Sequence, residues 1–146
     1  MMQITEITAE ETWQLRREVM WPEQSINYVQ LPEDRNGQHF GLYLSGELVT
    51  VVSLFVEGER AQFRKFATLP QHQGKGYGTA LLQHLFQVAA AQGITQLCCN
   101  ARQEKAGFYR RFGLQETDRT FMKGGKSYVV MERSIPMPAA VASAAD

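Results

Sequence analysis

Hydrophobic and polar positions along the chain follow two periods, and the points where the period changes mark the elements. Residues 2–8 carry Ile4 and Ile7 in a short strand-like run, after which Thr8 and Glu11 stand at capping-box spacing and open a helix over 9–20. Pro22, Pro32 and the polar cluster Glu33, Asp34, Arg35, Asn36, Gly37 then break regular structure, leaving room for one short helix over 23–29. Residues 39–45 and 48–56 are rich in β-branched and aromatic side chains and read as a hairpin turned by Ser45, Gly46 and Glu47. A second turn at Glu57, Gly58 and Glu59 leads into a strand over 60–69. There Phe63, Lys65 and Ala67 share one face, and Arg64, Phe66 and Thr68 the other.

After Pro70 the period lengthens. Tyr77, Leu81, Leu85, Val88 and Ala89 recur at helical spacing, and Gly93 is placed to stop the helix. Residues 94–99 read as a buried strand, and a strand, helix and strand in this order favour parallel pairing through a right-handed crossover. A short helix over 103–112 ends at Gly113, and 114–122 with 127–135 form a last antiparallel pair around Gly124 and Gly125. The pattern predicts an α/β (α+β) fold, a mixed, mostly antiparallel central sheet with flanking helices. Residues 1–135 are expected to form a single domain, and the Ala-rich tail at 136–146 a frayed end.

Composition narrows the function. Of 146 residues 44% are hydrophobic, enough for one substantial core, and 15 basic residues balance 15 acidic ones. This balance lacks the positive footprint that nucleic acid or an anionic membrane demands, so neither is expected as a partner. Cys98 and Cys99 are adjacent, a spacing that rarely closes an ordinary disulfide, and fit a reducing compartment. Residues 1–11 have neither the basic start nor the apolar run of a signal peptide, so a cytoplasmic protein is expected.

The candidate chemistry lies at residues 73–79. The first turn of a helix has unpaired N–H groups and the positive end of the helix dipole, so an anion binds there if side chains leave room. Gly74, Gly76 and Gly78 clear that approach, Gln73 and Lys75 add an amide and a cation, and Thr79 adds a hydroxyl. Lys75 is followed by Gly76 and Tyr77, which excludes a Walker loop, and G-x-G-x-G after several strands is not the dinucleotide fingerprint. A merely flexible connection is the competing reading.

With Gln73, Gly76 and Gly78 in the pattern Gln/Arg-x-x-Gly-x-Gly/Ala between a strand and a long helix, the sequence resembles the GNAT superfamily of N-acetyltransferases. The resemblance runs over 4–135 and includes Asn100 and the later series Phe108, Tyr109, Gly113, Leu114. It implies the GNAT-like acyl-CoA N-acyltransferase fold and acetyl-CoA as cosubstrate, with residues 73–79 (Gln73, Gly74, Lys75, Gly76, Tyr77, Gly78, Thr79) holding the pyrophosphate. It also implies that the main chain of Phe66, Ala67 and Thr68 takes the pantetheine arm by β-augmentation. An N–H of that strand would polarise the thioester carbonyl. Asn100, placed just beyond the strand at 94–99, would bond the pantetheine or nearby backbone; capping the next helix is its alternative use. Tyr109 would protonate the departing thiolate, the alternative being plain packing between Phe108 and Phe112.

No general base is legible. Residues 61–69 contain no acidic side chain, and Glu57 and Glu59 read as solvated charges at the far end of a hairpin. His39, His72 and His84 are scattered without metal-ligand spacing, so no metal is expected, and the two cysteines read as packing residues. The function implied is direct transfer of an acetyl group to a primary amine of a small molecule or protein. The alternatives are a non-catalytic acyl-CoA-binding module of the same fold, and an acyltransferase with another acyl group or a hydroxyl acceptor. The irregular stretch 21–39 would shape the acceptor pocket. The acceptor is unidentified, and a homodimer stays open.

Overall fold

Strand β1 (Met2–Ile7) runs into Thr8, whose hydroxyl accepts from the Glu11 N–H at 3.2 Å while Glu11 Oε1 accepts from the Thr8 N–H at 2.8 Å. This reciprocal pair is the expected capping box, and it starts α1 (Ala9–Met20). The irregular stretch holds α2 (Ile26–Val29), shorter than the pattern suggests, and a single 3-10 turn at Asp34–Asn36. Then come β2 (Gln38–Leu44), β3 (Glu47–Glu57), β4 (Arg60–Thr68), α3 (Tyr77–Ala91), β5 (Gln96–Arg102), α4 (Ala106–Arg110), β6 (Gln115–Lys123) and β7 (Lys126–Ser134). The computed structural model describes residues 1–136, so all of the expected tail except Pro136 lies outside the described residues.

The strands form one seven-stranded sheet in the order β1-β2-β3-β4-β5-β7-β6. It is the expected mixed, mostly antiparallel sheet. β4 and β5 pair in parallel over Arg60, Ala61 and Gln62 opposite Gln96, Leu97 and Cys98, which covers three residues of a nine-residue strand.

Contacts divide the described chain into two units. The first comprises residues 1–55 and 63–88. Its core is Leu15 from α1, Leu42, Val49 and Val51 from β2 and β3, and Ala67 and Leu69 at the end of β4, with Ile4, Ile7, Tyr77 and Ala80 packed against them. The second comprises 56–62 and the chain from Ala89 onward, with Ala61, Leu97, Cys99, Ala101, Ala106, Leu114, Val129 and Met131 all buried.

Three local expectations change. The Ile94 N–H bonds the Ala89 carbonyl at 3.1 Å and the Thr95 N–H bonds that of Glu59 at 2.8 Å, so β5 begins only at Gln96 and runs on to Arg102. Asn100 therefore lies inside a strand, opposite Val130, and caps no helix. The helix expected over 103–112 is a 3-10 turn at Gln103–Lys105 followed by α4, because Arg111, Phe112 and Gly113 bond carbonyls three residues back and tighten the chain. In β4, Lys65 has φ 58° and lies in the left-handed region, so Arg64, Lys65 and Phe66 are all half-buried and strict face alternation lapses there.

Candidate active site

In the first unit, β4 ends by pairing: the Leu69 N–H bonds the Val49 carbonyl at 2.9 Å, and the Thr68 and Thr50 hydroxyls lie 3.2 Å apart. A 3-10 turn at Pro70–His72 follows, and the Gln73 side-chain amide donates to the Thr68 carbonyl at 2.9 Å. Gln73 thus ties the Gly-rich turn to the end of the strand, a structural use of the amide that the sequence reading gave to phosphate.

The three glycines divide by cause. Gly74 and Gly76 have φ 76° and 89°, and a Cβ at either would meet nothing within 4 Å. They supply backbone shape and open space. Gly78 is helical, and a Cβ there would come within 3.0 Å of Phe66 Cζ and 3.5 Å of Thr68 Oγ1. It lets α3 sit closely on β4. Tyr77 packs against the core and meets the His72 ring edge-on at 6.1 Å, so its side chain anchors the helix start.

Lys75 is exposed and Thr79 half-buried, and the first turn of α3 contains no acidic residue. Its N–H groups lack intrahelical partners and carry the positive end of the dipole. A shape open at Gly74 and Gly76, positive, and without a competing carboxylate suits a diphosphate. Phe66 and Thr68 point at Gly78 and Ala67 into the core, so what these three residues offer a ligand is main chain.

In the second unit, Asn100 is exposed on β5 and Tyr109 is half-buried on α4. Phe108 meets the Tyr109 ring edge-on at 5.3 Å and lies 5.1 Å from the Phe112 ring. Burial first, and the Cys99 thiol second, push the Tyr109 phenol far above its ordinary range against the pull of Arg102. Such a phenol holds its proton at neutral pH. Burial pushes the Cys99 thiol up to about 12 and raises Cys98 as well; both are free and protonated, which is the state of packing residues.

The first unit also holds a buried polar cluster that lies outside the expected site residues. Arg16 of α1, fully buried, donates to both carboxylate oxygens of Asp34 (2.8 and 2.9 Å), to the Val29 carbonyl (2.9 Å) and to Ser53 Oγ (3.0 Å). Trp13 Nε1 also donates to Asp34 at 3.0 Å. Burial opposes the charged carboxylate, but the bonds from Arg16, the Leu31 N–H and Trp13 outweigh it and hold Asp34 below its ordinary range. His39 spans Ser53 Oγ (2.7 Å) and the Asp34 carbonyl (2.8 Å). The carbonyl can only accept, so His39 Nε2 carries a proton. The signal was present: at helical spacing, position 16 falls with Thr12, Leu15 and Val19 on the inward face of α1. A basic residue on that face requires a buried partner.

Among the described residues no cluster of His, Cys, Asp or Glu is arranged to hold a metal ion, and no helix is long and apolar enough to cross a membrane.

Residues 3–114 match the family model described as acetyltransferase (GNAT) family. The uncharacterized N-acetyltransferase YitI of Bacillus subtilis is 27% identical over 92% of this chain and 97% of its own length. Among solved structures, the ribosomal-protein-S18-alanine N-acetyltransferase from Escherichia coli superposes with a TM-score of 0.77 at 19% identity, covering 94% of this chain and 96% of that one. A GNAT family acetyltransferase from Elizabethkingia anophelis with acetyl-CoA bound gives 0.72 at 15% identity, covering 91% and 97%.

Proposed function

Because this chain belongs to the acetyltransferase (GNAT) family, we propose that it transfers the acetyl group of acetyl-CoA directly to a primary amine of a small molecule or a protein. The observation that carries the reading is the start of α3, where Gly74 and Gly76 leave open space before a helix turn without acidic residues. The diphosphate lies on the N–H groups of Gly76, Tyr77, Gly78 and Thr79, with Lys75 as the mobile cation. Gln73 holds the turn through Thr68, and its second amide hydrogen donates to a phosphate oxygen.

The main chain of Phe66, Ala67 and Thr68 receives the pantetheine amides as an added strand. An N–H of β4, the strand in which Lys65 takes a left-handed φ, polarises the thioester oxygen. Asn100, exposed on β5, offers a side-chain amide to the cofactor. The amine nitrogen bonds to the acetyl carbon, the carbon–sulfur bond breaks, and Tyr109 gives its proton to the sulfur. The Elizabethkingia relative binds acetyl-CoA and the Escherichia coli relative acts on a protein alanine, which supports the same cosubstrate and an amine acceptor for this chain.

A non-catalytic acyl-CoA binder is favoured by one observation, the lack of any acidic residue in Arg60–Thr68. Incubating the protein with acetyl-CoA and a panel of primary amines while following free thiol separates the two: amine-dependent CoA release is expected, and CoA binding without release would leave the binder. In the active enzyme, Tyr109→Phe should lower kcat about a hundredfold with the KM for acetyl-CoA unchanged, the usual contribution of a positioned acid. A near-normal kcat would return Tyr109 to packing.

A further inference from the structure

An alkyl amine, like a lysine side chain with its reference pKa of about 10.4, reaches an enzyme at neutral pH as an ammonium and must lose a proton before its lone pair can attack. β4 contains no carboxylate, yet the fold brings one to it. Glu33 Oε1, from the connection between α2 and β2, accepts from Arg64 Nη1 at 2.7 Å, and Arg64 stands two positions before Phe66 on β4. We propose that Glu33 receives the ammonium of the acceptor beside β4 and takes its first proton; this assignment rests on the acetyl-transfer reading above.

Three observations in the first unit support the assignment. The ion pair is accessible, with the Arg64 and Glu33 side chains 27% and 49% exposed, so a solute can reach it. At that exposure an ion pair adds little to stability. The chain beside Glu33 is anchored, because its neighbour Asp34 is bonded by Arg16, Trp13 and the Leu31 N–H. The surroundings are also built: the Arg64 guanidinium lies 5.8 Å over the Phe55 ring, and Phe55 packs so closely under the connection that a Cβ on Gly37 would come within 2.5 Å of its Cε1.

Arg64 engages Oε1, and a carboxylate has lone pairs on both oxygens, so the ammonium can bond Oε2. Glu33 passes the first proton to water as the nitrogen lone pair is freed and the nitrogen–carbon bond forms. The second nitrogen proton, lost after attack, balances the one delivered to sulfur as the carbon–sulfur bond breaks. The ligand class is therefore a cationic primary amine whose charged end is free to approach an Arg-paired carboxylate.

The test compares the wild type with Glu33→Gln, Glu33→Asp and Arg64→Gln, using n-butylamine, putrescine and trialanine as acceptor probes and measuring CoA release together with CoA affinity by calorimetry. Glu33→Gln should raise the KM for the reactive amine by at least about tenfold, the loss of one charge-assisted hydrogen bond, with CoA affinity unchanged. Glu33→Asp should recover part of that loss, and Arg64→Gln, which keeps the carboxylate, should cost less than Glu33→Gln. Equal losses in Glu33→Gln and Arg64→Gln would mean that the pair only pins the connection, and would overturn the assignment. An unchanged amine KM in Glu33→Gln would overturn it too, while leaving acetyl transfer intact. A wild type that binds CoA but acetylates none of the probes would overturn the transfer reading itself, and the role of Glu33 with it.

Discussion

Two helices of the first unit begin with the same electrostatics and opposite chemistry. At the start of α1, Thr8 is the cap, Glu11 at the third helical position reaches back to its N–H, and Glu10 adds a second negative charge to the first turn. At the start of α3, Gly76 occupies the cap position and its carbonyl accepts from the Ala80 N–H at 3.0 Å. There Gly78 and Thr79 stand where α1 has Glu10 and Glu11. Each start has free N–H groups and a positive dipole end. In α1 the chain satisfies them with its own side chains; in α3 it withholds every acidic group and leaves the space open. On the proposed reading, a helix start becomes an anion site through what its first turn omits.

The strongest way to break this comparison is to give α3 the first turn of α1. Thr79→Glu puts a carboxylate at the position that Glu11 holds in α1, on the turn proposed to hold the diphosphate, so that two like charges would stand on the order of 6 Å apart. At an effective dielectric near 20 the repulsion is roughly 2–3 kcal/mol, so CoA affinity should fall on the order of a hundredfold. The melting temperature should hold or rise, since an acid in the first turn favours the helix itself. Calorimetric titration with CoA beside a thermal melt checks both halves, and tight CoA binding by Thr79→Glu would move the diphosphate away from this turn.

A milder break acts on backbone shape alone. Gly76→Ala places a Cβ in open space, so nothing clashes, but its φ of 89° is costly for an L-residue by about 1–2 kcal/mol. The cost should appear as lower stability if the turn keeps its shape, or as roughly tenfold weaker CoA binding if the turn relaxes. Loss of neither would show that the positive φ is dispensable.

The same contrast explains what the sequence made legible. Local rules carried far: the capping box at Thr8 and Glu11, the turns at Gly46 and Gly58 and the Gly-rich start of α3 each depend on neighbours within a few residues, and the fold follows them. What stayed hidden depends on distant partners. Arg16 meets Asp34 and Ser53, which lie 18 and 37 positions away, and Glu33 meets Arg64 across 31. No local pattern encodes such pairs, although an arginine on the inward face of α1 announces that some acid must come to it. Gly78 marks the limit of spacing, which cannot tell a glycine needed for conformation from one needed for close packing against Phe66. Lys65 is hidden in the same way, because a left-handed residue in mid-strand has no signature when it is not glycine.

The smallest expected effect sharpens the comparison from the other side, by opening the start of α1. Thr8→Ala removes the hydroxyl that accepts from the Glu11 N–H and should cost about 1 kcal/mol of stability, the usual value of a cap. CoA affinity should stay within about twofold of wild type, because Glu10 and Glu11 still repel an anion there and α3 is untouched. The Thr8 N–H first, and the Thr8 hydroxyl second, lower the Glu11 pKa below its ordinary value of 4.5, and the Tyr43 hydroxyl adds a further donor. A carboxylate lowered on folding stabilises the protein above its unfolded pKa, and that contribution disappears as pH falls through the lower, folded value. Glu11→Gln should therefore show a shallower loss of stability below about pH 4.5 than wild type, while Thr8→Ala, which keeps the first and larger of the two Thr8 bonds, falls between them. Acid-limb melts of the three proteins check the order; superimposable curves would mean that the carboxylate at the start of α1 carries no folding linkage, and that α1 differs from α3 only in what it excludes.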